Sequence, residues 1–346
     1  MADNNSVAGG FTEQQITKDI IIVQTLVNVF LCINMLLITT FFKKESFHTS
    51  ARYILFALIL LSDSLILILT DIMLFLSYFQ CAIQIWICVI ISVLLFLYTL
   101  VTPVTLTAMT LERYVAICMP LRHAELCSKR STIHCIIIIH GISSVPTIAI
   151  FSVFFASVSL SVYIENKICL GDVFYVYMWQ HHLSSALCQF YFLIMCTAIV
   201  FSYYKIMKAA KAVSGNERNN ESIKKGLRTV ILHAFQLLLC LFQLWSPIID
   251  NALLQIDYNV SVSVGYINYV MFYLAPRCLN PLIYGLKDEI FLLALKSYFG
   301  WKRAKHGAKG YRPDLKPSQQ HKHCGLCTGQ ATQRSNVNFK IRLASH

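Results

Sequence analysis

The chain has 346 residues, a formal net charge of +12 and a mean hydropathy of +0.59, with 56% hydrophobic and 13% charged residues. A soluble domain carries roughly 25% charged residues, so these values exclude an ordinary cytosolic enzyme and point to a polytopic membrane protein. No large soluble domain and no nucleic-acid module is expected, since the longest polar segment is the basic, aliphatic-poor tail over 301–346, read as a disordered cytoplasmic tail.

Residues 1–19 are polar and are expected to form an outer tail, carrying an Asn4-Asn5-Ser6 glycosylation sequon. An apolar run from Ile20 to Phe42 follows, closed by Lys43, Lys44 and Glu45. A bilayer core takes about 20 apolar residues as a helix, and this run is too long for the apolar centre of a signal peptide. Further runs at 53–78, 83–111, 132–159, 183–204, 229–253 and 263–286 complete seven expected spans over 20–286, an all-α seven-transmembrane helix bundle. Pro103, Pro146, Pro247, Pro276 and Pro281 fall inside them; neighbouring membrane helices accommodate such breaks in the backbone ladder.

Alternate loops divide the basic residues unevenly. The loops at 43–52, 112–131, 204–228 and 285–346 hold 26 of the 29 Lys and Arg residues, the opposite side holds only Lys18 and Lys167, and Arg277 lies inside the seventh run. The positive-inside rule then places the N-terminus outside and the C-terminus inside, a parity that seven spans satisfy. The Asn259-Val260-Ser261 sequon falls outside, and Asn220-Glu221-Ser222 inside. After the seventh run, Phe291, Leu292, Leu295, Tyr298 and Phe299 recur at spacings of three and four, with Lys287 and Lys296 on the other side. Residues 287–300 therefore read as an amphipathic helix in the inner leaflet interface.

Most of the 13 cysteines lie in spans, where a thiol is a small hydrophobe. Cys88 near the outer end of segment 3 and Cys169 in the second outer loop face an oxidising compartment, as a disulfide or as two free thiols. In the tail, Cys324 and Cys327 with His321 and His323 make half of a zinc site, or an acylation site. His181 and His182 near the outer end of segment 5 point about 100° apart on a helix and do not form a ready chelate. No nucleophile, metal or phosphate-loop constellation supports catalysis, and no cofactor is expected.

Met109-Thr110-Leu111-Glu112-Arg113-Tyr114-Val115-Ala116-Ile117-Cys118-Met119-Pro120-Leu121-Arg122-His123 stands at the inner end of segment 3. Together with Asn34, Asp63 and Asn280-Pro281-Leu282-Ile283-Tyr284, it resembles the rhodopsin-like (class A) G-protein-coupled receptors. His48-Thr49, Arg52-Tyr53, Lys225-Gly226-Leu227-Arg228-Thr229 with His233, and the run from Pro276 to Asp288 narrow the likeness to fish-type odorant receptors. The chain departs from the pattern at His140, where the family usually has tryptophan, and at Leu241, where other rhodopsin-like receptors have one.

The resemblance implies a Cys88–Cys169 disulfide, and an activation switch of Glu112, Arg113, Tyr114, Tyr203, His233, Asn280, Pro281 and Tyr284 facing a heterotrimeric G protein, expected to be stimulatory. It also implies a small-molecule odorant in the outer half of the bundle. Turn counting proposes Leu95, Phe96, Thr99, Ser184, Cys188, Tyr191, Leu241, Trp245, Tyr266 and Tyr273 as lining residues, an apolar set with polar tips. Leu95 replaces the aspartate of amine receptors, which argues against a biogenic amine. Asp63 and Arg277 are expected to form a buried polar pair, the arginine standing in for the sodium ion held in related receptors; the alternative is that Arg277 pairs elsewhere or lines a wet ligand pathway. Other expected partners are membrane lipids, arrestin and kinases at the tail, and the expected location is the plasma membrane of sensory cilia. The competing readings are a non-olfactory receptor for a lipid or peptide, and a small-solute transporter, against which the odd number of spans and the absence of an inverted repeat argue.

Overall fold

The computed structural model describes residues 3–169, 174, 177–212, 217–254, 258–282 and the isolated positions 292, 293 and 296. The expected interfacial helix at 287–300 and the tail at 301–346, with Tyr284 and the Cys324/Cys327 motif, lie outside them apart from those isolated positions.

Seven helical spans form a bundle. The first is α1 (Asp3–Lys43), whose apolar part runs from Thr17. A 3-10 turn (Glu45–Thr49) leads into α2 (Ala51–Tyr78), the second span. A short strand β1 (Ala82–Gln84) precedes α3 (Ile85–Cys118), the third span; α4 (Pro120–Leu126) follows at its end, with Pro120 in the first turn where its missing N–H costs nothing. The fourth span is α5 (Lys129–Ser157), capped at its start by Ser128, whose hydroxyl accepts from the Ser131 backbone N–H. Strand β2 (Asn166–Ile168) leads to α6 (Met178–Ala212) and α7 (Glu217–Leu254), the fifth and sixth spans, which extend well beyond their apolar runs into the basic connection. Six of these helices are long and apolar enough to cross a membrane.

The seventh span is a helix in three parts, where the sequence suggested one run. The first part, α8 (Tyr258–Asn268), passes into a π-turn (Tyr269–Leu274) and then α9 (Ala275–Asn280). Pro276 supplies the reason: it returns no N–H to the preceding turn and its ring crowds the carbonyl there, so the backbone widens ahead of it. Two carbonyls on either side of this break accept from side chains. Gln236 on α7 donates to the Pro276 carbonyl at 2.8 Å, and the Arg277 guanidinium donates to the Tyr273 carbonyl. Pro103 and Pro146, by contrast, sit inside uninterrupted α3 and α5.

Apolar faces turn both inward and outward, as lipid requires. Phe47, Phe56, Leu60 and Leu106 are sealed in one core between the first four spans, Phe192, Ile206, Val230 and Leu237 in another between the fifth and sixth. Ile137, Ile148, Leu193 and Val200 point out of the bundle, each more than 60% exposed, where hydrocarbon rather than water would meet them.

Candidate functional site

Three polar loci interrupt this apolar bundle. The first is at the Arg113 end of α3. Arg113 Nε lies 3.6 Å from Glu112 Oε2, and His123 Nε2, carried on α4, lies 3.3 Å from Glu112 Oε1. One carboxylate therefore serves two bases, the second of which sequence reasoning did not connect to it. Burial pushes the nearby Cys127 thiol up, and the Glu112 charge adds to the effect.

Further into the bundle, Thr110 Oγ1 and His233 Nδ1 are 2.9 Å apart and both side chains are fully buried, tying α3 to α7. Tyr114 meets Phe201 of α6 edge-on at 5.9 Å. Tyr203 is partly exposed on α6. Gly226 brings α7 close to α3: a Cβ there would sit 2.5 Å from Ile117 Cδ1.

The second locus is the middle of the bundle. Asp63, fully buried, accepts from Thr102 Oγ1 at 3.1 Å and from Asn280 Nδ2 at 2.5 Å, joining the second, third and seventh spans. Asn34 is also fully buried, and its amide makes no hydrogen bond among the described residues. Asp63 and Arg277 lie close enough for their charges to interact, but not in direct contact. Arg277 makes no ion pair with Asp63; it donates to Gln243 Oε1 of α7 at 3.3 Å and to the Tyr273 carbonyl, and its guanidinium carbon lies 3.9 Å from the Tyr273 ring centre. The widened π-turn leaves a carbonyl for the guanidinium to cap, and this competes with the carboxylate. Asp71, for which the sequence offered no partner, accepts from Gln24 Nε2 of α1.

The third locus is the Cys88 end. Strands β1 and β2 pair antiparallel, Ala82 with Ile168 and Gln84 with Asn166, and this ladder delivers Cys169 to Cys88. The two form a disulfide with Cα atoms 5.7 Å apart, sealed by Phe151, Phe154 and Phe174. Cys81, in the same loop as β1, is an exposed free thiol that the sequence reading passed over.

The expected lining residues scatter. Thr99 and Cys188 border a small cleft between the third, fifth and sixth spans, together with Pro103, Phe192, Met195 and Gln243. Phe96 packs against the core beneath the disulfide, Tyr191 and Leu241 against the core of the fifth and sixth spans, and Tyr266 against that of the first, second and seventh. Ser184 is buried, Leu95 half-buried, and Trp245 exposed beside Phe242. Tyr273 stacks on Tyr269 with ring centres 5.2 Å apart. His140 Nδ1 bonds the Ile136 carbonyl one turn back in the middle of α5, and its ring faces Tyr98 edge-on. His182 is exposed, and the side chains of His181, Asn4 and Asn259 lie outside the described residues. Among the described residues, no group of three or more His, Cys, Asp or Glu is placed to hold a metal ion.

Two cross-helix contacts, Gln236–Pro276 and Gln243–Arg277, also escaped the sequence reading. A signal existed: two glutamines two helical turns apart in an apolar span share one face and need partners.

Comparison with known proteins supplies the remaining evidence. The sequence model described as 7 transmembrane receptor (rhodopsin family) matches residues 33–284. Odorant receptor 131-2 of Danio rerio is 41% identical over 295 residues, covering 85% of this chain and 90% of the relative. The type-1 angiotensin II receptor of Sus scrofa is 27% identical, covering 64% of this chain and 66% of that receptor, and galanin receptor 2b of Danio rerio is 26% identical, covering 59% and 53%.

Proposed function

Since the chain belongs to the rhodopsin family of seven-transmembrane receptors, we propose that it is an odorant-type receptor. A small molecule in the outer half of the bundle shifts the helices to a state that promotes nucleotide exchange on a heterotrimeric G protein of the stimulatory, cyclic-AMP-raising kind. The observation that carries this reading is the 41% identity to a zebrafish odorant receptor over nearly the whole of both chains. The chain has no part in catalysis.

The N-terminus is on the outside, and the Glu112–Arg113 end faces the cytoplasm with the basic connections. Arg113 has a permanently charged guanidinium with several donors, suited to leaving Glu112 for the C-terminal helix of a Gα subunit. The Thr110–His233 bond and the close Gly226–Ile117 contact hold the sixth span against the third; agonist must favour the state in which they separate. Phosphorylation of the basic tail would then recruit arrestin, and the receptor works in the plasma membrane of sensory cilia.

The test is cyclic AMP in cells that express the chain, exposed to pooled water-soluble and volatile odorants, with an Arg113→Ala control matched for surface level. A response lost in the control supports the reading. A response to angiotensin- or galanin-like peptides and to no odorant would replace it with the peptide-receptor alternative, which the two weaker relatives favour.

A further inference from the structure

Arg277 is a cation in the middle of an apolar bundle, only 4% exposed, with no carboxylate bound to it among the described residues. The two acids of the second span take their hydrogen bonds elsewhere, Asp63 from Thr102 and Asn280, and Asp71 from Gln24, so that Arg277 acts on Asp63 through charge alone. Arg277 Nε has no hydrogen-bond acceptor among the described residues. Tyr269, Tyr273 and Arg277 follow one another at successive turns on one face of the seventh span and stack in a row. The buried hydroxyls of both tyrosines approach Thr70 and Thr99 without completing a hydrogen bond. A permanent positive charge with an unfilled Nε donor therefore sits beside two buried tyrosine hydroxyls on one face.

This row communicates with the cleft between the third, fifth and sixth spans through two residues. Gln243 lines the cleft and holds the guanidinium; Thr99 lines it and lies beside the Tyr273 hydroxyl. The remaining walls are apolar, among them Pro103, Phe192 and Met195. A guanidinium takes carboxylates with strength and directionality that neutral acceptors do not match.

We propose that Arg277, reached through Gln243, is the anion-recognising group of the ligand site, so that the cleft, which in the unliganded bundle has room for about one water and widens on binding, takes small molecules with an apolar body and a carboxylate. The proposal rests on reading the bundle as a small-molecule receptor and adds the ligand's chemical class. The same donors would serve an inorganic anion such as chloride, and the experiment separates the two sources.

The full-length receptor is purified into nanodiscs in gluconate buffer, and its Tm is followed with hexanoate, with hexanamide and with chloride. Hexanoate should raise Tm where hexanamide does not, Arg277→Gln should weaken the apparent affinity for hexanoate about tenfold or more, and Arg277→Lys should retain part of it. Equal effects of hexanoate and hexanamide, no effect of hexanoate, or an undiminished effect in Arg277→Gln would overturn the proposal. So would stabilisation by chloride alone, which would mark an inorganic anion site. Where Arg277→Gln does not fold, Gln243→Leu carries the same comparison, and an unchanged preference for hexanoate over hexanamide overturns the inference. Signalling separates the two readings. Arginine-dependent hexanoate binding without any G-protein response keeps the site and sinks the receptor reading, whereas an amide-driven response indifferent to Arg277→Gln keeps the receptor reading and sinks the site.

Discussion

The hydroxyl of Thr110 and the imidazole of His233 meet 2.9 Å apart in a fully buried position, one on the third span and one on the sixth. Their contact crosses the interface that must open if the sixth span is to swing away. A net buried hydrogen bond is worth about 1 kcal/mol. Thr110→Val keeps the shape and removes the partner, so the inactive packing should lose about that much, equivalent to about a fivefold rise in the active population. Basal cyclic AMP at matched surface level measures it, and an unchanged or lower basal signal would count against the contact as a restraint.

Glu112 carries a shared load. Glu112→Gln removes the charge that holds both Arg113 and His123, and basal signalling should rise by a similar few-fold factor. His123→Ala removes only the more exposed partner and should raise it less, since exposed pairs contribute about 0–1 kcal/mol. Equal effects from the two substitutions would show that Glu112 restrains the bundle through His123 rather than through Arg113.

Gly226 leaves room for the tip of the Ile117 side chain. Gly226→Val should displace that tip and loosen the packing of α7 on α3, lowering the Tm of the purified receptor modestly. Ile117→Ala in the same chain should recover most of that loss, because it empties the space that the added methyl groups need. Additive losses in the double variant would mean that the two side chains do not compete for the same space.

The Cys88–Cys169 link closes a loop with a sequence separation of 81. By the chain-entropy argument a bridge of that span stabilises by about 4 to 5 kcal/mol. Cys88→Ser and Cys169→Ser should each strip the receptor from the cell surface, and the double variant should be no worse than either single one. A double variant much worse than the singles would show that the cysteines act separately.

How much of this was legible beforehand follows from which physical quantities are local. Span number and approximate position come from apolar runs, and the expected orientation from the distribution of Lys and Arg; both are sums over adjacent residues that the bilayer reads one helix at a time. The Glu112–Arg113 and Asn280-Pro281 motifs were visible for the same reason, and the disulfide was expected from resemblance. Where Arg277 points was not. Its choice of Gln243 and the Tyr273 carbonyl over Asp63 depends on the π-turn ahead of Pro276 and on how the sixth span is rotated against the seventh. The pairing of β1 with β2, three residues each, is likewise too short to leave a pattern. The sequence by itself determined which segments are helices in lipid, because hydropathy adds up along the chain. Only the tertiary structure decided which polar side chains meet across those helices, because that depends on relative rotation and depth, which no single segment contains.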